Sequence, residues 1–166
     1  MNIIVSVDKN WNIGKSNKLL VSIPTDIQYF YQKVSGKIII MGRKTLQSLP
    51  NSKPISGCLN IILTRNKNYN VNDAYVVYNL VELFEKIKKY DSKDIYVIGG
   101  SNVYKQLLPY CDTAYITKID YVYDADCNFP NLDELENWKV VSCSDEYTYF
   151  DLEYKFLKYH NYLNIK

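Results

Sequence analysis

The chain has 166 residues, of which 47% are apolar, enough to fill the core of one compact domain. Its 20 basic and 18 acidic residues nearly cancel, so it lacks the broad positive field that nucleic acid or an anionic membrane requires. We therefore expect one domain over residues 1–166 that binds a small molecule and neither nucleic acid nor a membrane.

The cysteines are scattered and form no CxxC pair, and only His160 is available to join them in a metal site. This pattern predicts no metal site. The first residues, MNIIVSVDKN, contain neither a basic leader nor a long apolar stretch. We therefore expect a cytoplasmic protein with reduced thiols at Cys58, Cys111, Cys127 and Cys143.

The first elements are a strand, a loop and a helix. Residues 2–7 form a β-branched run that predicts a strand, and the Gly, Asn and Ser content of residues 8–19 predicts an irregular loop. Pro24 suits the first position of a helix. One apolar stripe follows the helical period, and its members are Ile23, Ile27, Phe30 and Tyr31.

Strands and helices then alternate. The apolar runs 37–41, 59–63, 74–77 and 94–98 predict buried strands. Helices are predicted after three of them: a short one from Gly42, one capped by Asn79 and Glu82, and one after Gly99-Gly100 with Val103, Tyr104, Leu107 and Leu108 on its apolar face. Beyond Ala114 only strands are predicted. The sequence therefore favours an α/β fold with a largely parallel sheet and an antiparallel hairpin at one edge.

Three predicted strand ends carry residues suited to anions. They are Gly42-Arg43-Lys44-Thr45, Thr64-Arg65 and Gly99-Gly100-Ser101. Ligands of open α/β sheets lie beyond the carboxyl ends of the strands. A Gly-Gly pair after a strand is usually only a tight turn, but the coincidence of three such ends indicates a dinucleotide site.

Asp26 is the candidate for proton chemistry. An acid in the first turn of a helix ordinarily only complements the helix dipole. Here Ile23, Ile27, Phe30 and the apolar first strand should shut it away from water, and burial without a cationic partner raises the pKa of a carboxyl group. The alternatives are weaker: His160 reads as a solvated histidine near a strand end, and the sequence contains no GxSxG, P-loop lysine or HExxH motif.

The ordered motifs together resemble the dihydrofolate reductase family over essentially the whole chain. They are Ser6-Val7-Asp8, Asn12-Ile13-Gly14, Ile23-Pro24-Thr25-Asp26 with Phe30, Ile40-Met41-Gly42-Arg43-Lys44-Thr45, Asn60-Ile61-Ile62-Leu63-Thr64-Arg65, Val97-Ile98-Gly99-Gly100-Ser101-Asn102-Val103-Tyr104, Thr117-Lys118-Ile119, and Asp126 with Phe129-Pro130. Each motif is modest alone, but the order and spacing of the set are specific.

The resemblance implies a predominantly parallel eight-stranded sheet with helices on both faces and a folate pocket between the first strand and the Pro24 helix. It also implies reduction of 7,8-dihydrofolate by NADPH, in support of one-carbon and thymidylate metabolism, and binding of antifolate inhibitors by a monomer. Asp26 would bind the pterin's amidine edge and assist protonation at N5. The other implied substrate contacts are Ile4, Val5, Ile27, Phe30, Leu49, Ile55, Ile98 and Thr117.

The resemblance likewise implies where NADPH lies. Residues 12–19 would form a mobile lid over the nicotinamide, Arg43, Thr64 and Arg65 would hold the 2′-phosphate side, and residues 99–104 the pyrophosphate and nicotinamide. The implied cofactor contacts are Ser6, Ile13, Gly14, Lys15, Asn17, Leu19, Gly42, Arg43, Lys44, Thr45, Leu63, Thr64, Arg65, Gly99, Gly100, Ser101, Asn102, Val103 and Tyr104.

The sequence departs from the family pattern at two places. Leu20-Val21 stands where members usually have Pro-Trp, and Cys58 stands where most have an arginine that grips the folate tail. Two alternatives therefore stay open. One is an NADPH-dependent pyrimidine reductase of riboflavin synthesis, against which the Pro24 helix with Asp26 and Phe30 argues. The other is a catalytically silent folate-binding or cofactor-binding protein, consistent with Val21 and Cys58.

Overall fold

The computed structural model describes residues 1–163, so the last three positions of the predicted 1–166 domain lie outside the described residues. The strands are β1 (Asn2–Val7), β2 (Asn12–Lys15), β3 (Lys18–Leu19), β4 (Ile38–Gly42), β5 (Leu59–Leu63), β6 (Tyr75–Val77), β7 (Ile95–Gly99), β8 (Thr113–Ile119), β9 (Cys127–Asn128), β10 (Trp138–Cys143), β11 (Tyr147–Tyr149) and β12 (Leu152–Asn161). The helices are α1 (Pro24–Val34), α2 (Arg43–Ser48), α3 (Leu80–Ile87) and α4 (Ser101–Leu107).

The central sheet has the strand order β10-β12-β8-β1-β7-β4-β5-β6, and β11 pairs with β12 beside it. The strands from β8 to β6 in this order are parallel to their neighbours, whereas β12 is antiparallel to β8, β10 and β11. This arrangement confirms the predicted α/β architecture with a C-terminal antiparallel hairpin.

The parallel strands are apolar on both faces because each face is covered. Ile38 and Ile40 of β4 pack into one hydrophobic cluster, and Ile39 and Met41 pack into the other, on the opposite face of the sheet. Successive side chains of a strand point to opposite faces. A run without polar alternation is therefore what a doubly covered strand requires.

The predicted loop over residues 8–19 was wrong in part, because it contains the hairpin β2–β3. Ser16 and Asn17 form its two-residue turn, and both have positive φ angles, 51° and 60°, as the tightest hairpin turns require. β2 also pairs with β9, which lies more than a hundred residues along the chain. The pattern of this exposed hairpin is too short and polar to show in the sequence.

Two buried features hold the start of this hairpin in place. Asp8 is fully buried and accepts hydrogen bonds from the backbone N–H groups of Asn10 and Asn12, each at 2.9 Å, and of Tyr123 at 3.0 Å. The Trp11 ring packs on Phe129 with centroids 6.1 Å apart.

None of the described helices is long and apolar enough to span a membrane.

Candidate active site

A pocket of about 390 Å³ opens beyond the carboxyl ends of β1 and β7. Its walls are α1, the α2 segment and the β2–β3 hairpin, and most of its lining is apolar. Ligand sites of open α/β sheets lie at this edge of the sheet. Among the described residues that line it, Asp26 is the only acid.

Asp26 lies at the closed end of this pocket. Pro24 takes the first position of α1 and leaves Asp26 in the first turn. The Ser6 hydroxyl donates to Oδ2 at 2.5 Å, and the Thr117 hydroxyl donates to Oδ1 at 2.7 Å. Ser6 and Thr117 are paired neighbours on β1 and β8. The sheet register therefore aims both hydroxyls at one carboxylate.

The environment of Asp26 shifts its proton affinity. Burial raises the pKa of its carboxyl group above the ordinary value, and the hydrogen bonds from Ser6 and Thr117 oppose that shift only in part. Burial likewise raises the pKa of the Tyr29 phenol, one helical turn further along α1, to about 12. The closed end of the pocket thus disfavours negative charge.

The apolar face of α1 is a pocket wall and not a core surface. Ile27 and Tyr31 are each 37% exposed, and both line the pocket together with Phe30. Only Ile23, at the helix start, and Val34, at its end, are fully buried. The helical period correctly placed these side chains on one face, but the period alone does not distinguish a core from a cavity.

Gly99 and Tyr104 build the floor of the pocket. Gly99 has a φ of 124°, and a Cβ there would lie 3.2 Å from the Tyr104 ring. Both facts require glycine. The Tyr104 hydroxyl donates to the carbonyl of Ile4 at 2.8 Å and ties α4 to β1. The peptide bond between Gly99 and Gly100 is cis.

The β2–β3 hairpin covers one side of the pocket. A Cβ at Gly14 would lie 2.8 Å from the carbonyl oxygen of Lys18, so only glycine lets the two strands of this hairpin approach. The hairpin is fixed to β9, where the backbone N–H of Ser16 donates to Asp126 at 3.0 Å. Lys15 also forms an ion pair with Asp124.

Most of the residues predicted as site residues come together here. Those that line the pocket are Ile4, Val5, Ser6, Ile13, Gly14, Lys15, Asn17, Leu19, Asp26, Ile27, Phe30, Thr45, Leu49, Ile98, Gly99, Gly100, Ser101, Tyr104 and Thr117. Those that do not are Gly42, Arg43, Lys44, Ile55, Leu63, Thr64, Arg65, Asn102 and Val103. Lining residues that the sequence did not single out for the site are Lys18, Tyr29, Tyr31, Ser48, Pro50 and Cys127.

The residues outside the pocket fall into two groups. Val103 and Leu63 are buried in the core below the strand ends, and Ile55, like Phe30 and Leu49, packs against the other buried cluster of the sheet. Arg43 and Arg65 lie on the outer rim at the ends of β4 and β5, where Arg65 is exposed and Arg43 donates to Gln47 of its own helix at 3.3 Å. The rim cations thus face solvent beyond the pocket.

The described part of the chain contains no group of three metal-ligating His, Cys, Asp or Glu side chains. A largely buried acid with a raised pKa in an apolar pocket, with glycines at the adjoining strand end, is typical of an enzyme site that moves a proton in a small organic ligand. The fold and the site therefore define an α/β enzyme of small-molecule metabolism.

Comparison with known proteins gives the family. Residues 1–161 match the model of the family described as dihydrofolate reductase. The dihydrofolate reductase of Bacillus subtilis is 37% identical over 160 residues, covering 94% of this chain and 91% of that protein. The Staphylococcus haemolyticus dihydrofolate reductase is 34% identical over 142 residues, covering 86% and 82%.

A solved structure is similar as well. The Enterococcus faecalis dihydrofolate reductase complexed with NADP(H) and RAB-propyl has a TM-score of 0.86 and 28% identity, covering 96% of this chain and 95% of that one. The chain belongs to the dihydrofolate reductase family, the oxidoreductases that reduce dihydrofolate with NADPH.

Proposed function

We propose that this chain reduces 7,8-dihydrofolate to tetrahydrofolate with NADPH, and that Asp26 is its catalytic residue. The observation that carries the proposal is a single buried carboxylate, held by Ser6 and Thr117, at the closed end of the apolar pocket. A flat heterocycle with an amidine edge offers two N–H groups side by side, and a carboxylate accepts both.

The apolar residues around Asp26 would hold the rest of the substrate. Ile4 and Val5 lie in the middle of β1 and Ile98 lies near the end of β7, and Phe30 and Leu49 stand on the outer walls. They exclude water from the reacting ring, which strengthens the electrostatic effect of the carboxylate. Ile55 packs against the same buried cluster as Phe30 and Leu49 do.

Asp26 would handle the proton. Hydride addition to the pterin must be matched by a proton at N5. Because burial raises the pKa of Asp26, the group binds a proton more readily than an exposed carboxyl, and a proton carrier near neutral pH needs this property. The Ser6 and Thr117 hydroxyls hold the carboxylate in one orientation. Ser6 was predicted to contact the cofactor, and its bond to Asp26 favours the positioning role.

The residues beside the pocket fit a dinucleotide. Gly99 and Gly100 keep the strand end free of Cβ atoms below the hairpin, and Ser101 begins α4. Arg43, Thr64 and Arg65 would hold the 2′-phosphate, with Lys44 and Asn102 on the same exposed rim. NADPH supplies the hydride when it is bound. The hairpin residues Ile13, Gly14, Lys15, Asn17 and Leu19 would cover its nicotinamide.

The setting of the enzyme belongs to the same proposal. We propose a cytoplasmic monomer that acts without nucleic acid or membrane. All four cysteines are free thiols in the structure, as a reducing compartment allows, and the basic and acidic residues are nearly balanced.

Mixing the protein with NADPH and dihydrofolate and following the nicotinamide absorbance tests the proposal. We expect absorbance to fall only when both are present. Turnover of a ribosylated pyrimidine but not dihydrofolate would identify the riboflavin-pathway alternative. Saturable binding of both ligands with no absorbance change would identify a silent binding protein.

A further inference from the structure

A second group of polar side chains lies on the sheet face that α1 covers. Tyr115 of β8 and Lys158 of β12 are paired neighbours, so their side chains share one face. Tyr96 of β7 stacks on Tyr115 with ring centroids 6.1 Å apart. Lys33, in the last turn of α1, places its ammonium 4.4 Å from the Tyr115 ring centroid. We term these four residues the tyrosine–lysine cluster, and none of them lines the pocket that contains Asp26.

Two cations of the cluster have no acid between them. The Lys158 ammonium lies 5.7 Å from the same Tyr115 ring centroid that Lys33 approaches. Neither lysine forms an ion pair with a described residue. Lys33 is half-buried, and its burial and the charge of Lys158 both lower the pKa of its ammonium. The described part of the chain thus leaves this positive charge without a counter-charge.

A buried hydroxyl of the cluster also lacks an acceptor. Tyr96 is 6% exposed, and its hydroxyl adjoins that of Tyr115. Two hydroxyls carry two hydrogens, and a bond between them uses only one. The similarly buried Tyr104 and Tyr159 donate to a backbone carbonyl and to a carboxylate. No described residue accepts a hydrogen bond in this way from the Tyr96–Tyr115 pair, although a buried polar group without a partner is costly.

The neighbouring carboxylates are already bonded. Asp94, the acid closest to Tyr96 in sequence, accepts a hydrogen bond from Lys37 at 2.9 Å. Asp26 accepts from two hydroxyls at the closed end of the pocket. The cluster therefore consists of donors, namely two ammonium groups and a phenol, and what it lacks is a negatively charged acceptor.

We propose that the tyrosine–lysine cluster binds inorganic phosphate. Phosphate offers several acceptor oxygens and carries about two negative charges at neutral pH, so it matches two ammonium groups and a phenol O–H. It would lie between the end of α1, which carries Lys33, and the strand β12, which carries Lys158. The anion would relieve the repulsion between the two lysines and tie the helix to the sheet.

This site is separate from the pocket but next to it. The Lys33 ammonium also lies 5.6 Å from the ring centroid of Tyr29, and Tyr29 lines the pocket. Phosphate binding needs only the cluster and does not rest on the proposed reduction of dihydrofolate. A protein without reductase activity would still bind phosphate here, so the two proposals fail independently.

The test is an NMR titration with inorganic phosphate at constant ionic strength, with chloride as the balancing anion. We expect saturable amide shifts at the four cluster residues. Phosphate that binds instead to Arg43 and Arg65 at the pocket rim shifts other amides, so the readout separates the two places. Equal shifts with chloride alone, or shifts confined to residues outside the cluster, would overturn the proposal.

Three variants measure what each donor contributes. Lys33→Met removes the half-buried ammonium and keeps an unbranched side chain, and we expect it to weaken phosphate binding about fivefold to tenfold. Lys158→Met removes an exposed charge and should cost about threefold. Tyr96→Phe removes only the hydroxyl and should also cost about threefold. Lys155→Met is the matched control, because Lys155 is exposed on the opposite face of β12 and should leave the affinity unchanged.

Thermal unfolding separates binding from folding. A ligand that binds only the folded state stabilises it, so phosphate should raise the melting temperature of the parent more than that of Lys33→Met. Lys33→Arg keeps the positive charge and should retain most of the phosphate effect. An equal rise in the parent and in Lys33→Met, or unchanged phosphate affinity in all three donor variants, would show that phosphate does not bind at the cluster.

Discussion

The closed end and the outer rim of the pocket hold charge in opposite ways. At the closed end, Asp26 is largely removed from water and already bonded to Ser6 and Thr117. At the rim, Arg65 is exposed and Arg43 donates to Gln47 of its own helix. A preorganised, desolvated charge acts on the chemical step, whereas a solvated charge acts only when a charged ligand arrives.

The largest effect is expected at the closed end. Asp26→Asn keeps the shape and a hydrogen-bonding side chain but removes the proton carrier. Turnover of dihydrofolate at neutral pH should fall by ~10²–10⁴. Lower pH should restore part of the rate, because a substrate that is already protonated needs less help. Steady-state rates between pH 5 and pH 8 measure both effects.

A matched control for this variant is Asp73→Asn, the same change in an exposed turn that does not line the pocket. Its turnover should equal that of the parent. An Asp26→Asn enzyme with parental turnover across the pH range would show that Asp26 takes no part in the chemical step. The closed end would then differ from the rim in solvation and not in catalytic role.

Arg65 tests the rim. A charge-assisted bond from its guanidinium to a 2′-phosphate should be lost in Arg65→Ala, so kcat/KM for NADPH should fall roughly tenfold. The value for NADH, which lacks that phosphate, should stay nearly unchanged. Lys67→Ala, an exposed cation in the following turn, should affect neither. Equal losses with both cofactors would mean that Arg65 supports the fold and not the phosphate.

The features that the sequence predicted correctly are those that depend on local patterns. The buried strands, their order of alternation with helices and the anion-suited strand ends follow from local patterns, since apolar runs and glycines act where they stand. The burial of Asp26 was also inferred from its apolar neighbours, and the raised pKa agrees with it. Its bond to Ser6 was not predicted, because Ser6 was grouped with the cofactor contacts.

The missed parts depend on distant pairing. Cys127 lines the pocket only because β9 pairs with β2, and nothing near Cys127 in sequence indicates that neighbour. Tyr29 faces the pocket although its helical neighbours on the predicted stripe are Ile27 and Phe30. In the same way, Ser16 and Asn17 can be identified as a hairpin turn only when the pairing of β2 with β3 is known. Tertiary contacts, not local propensity, decide these positions.

The next expected effect concerns Thr117, whose hydrogen bond influences the pKa of Asp26. The Thr117 hydroxyl stabilises the charged form of Asp26, so Thr117→Val should raise the pKa of Asp26 further. The limb of the pH–rate profile on which the rate falls as the pH rises should move to higher pH, and turnover at neutral pH should change by about threefold to tenfold. Thr113→Val, four residues away on the same strand and bonded to Asp112, is the control.

Stability supplies the second readout for Thr117→Val. Because the folded-state pKa of Asp26 lies above its ordinary value, the contribution of this group to stability is full at acid pH and is lost as the pH rises through the raised pKa. A further rise in that pKa deepens the loss. The variant's deficit in unfolding free energy should therefore be larger at pH 7 than at pH 4; a deficit that is equal at both would refute the assignment.

The smallest effect is expected at Cys58, just before the start of β5, where the sequence departs from the family pattern. The Cys58 thiol donates to the carbonyl of Val34 at 3.1 Å and is half-buried. It therefore cannot offer the carboxylates of a folate tail the two parallel N–H donors that an arginine guanidinium would. Lys53 is the nearest cation in sequence: it is exposed and ends the short 3₁₀ helix whose first residue, Pro50, lines the pocket. A lysine there would attract the tail only as a point charge.

Cys58→Arg should therefore tighten binding of dihydrofolate by about threefold to tenfold, since solvent at the rim weakens the added ion pair. A dihydropterin without the glutamate tail should bind as before. Cys58→Lys adds the charge without the planar fork, so it should recover less of the gain. If Lys53 now meets the tail, Lys53→Ala should weaken only the tailed ligand, and less so once Arg occupies position 58. The measurement is the ratio of tailed to tailless dissociation constants in the parent and each variant. A ratio that is equal in all of them would show that neither position 58 nor Lys53 contacts the tail carboxylates.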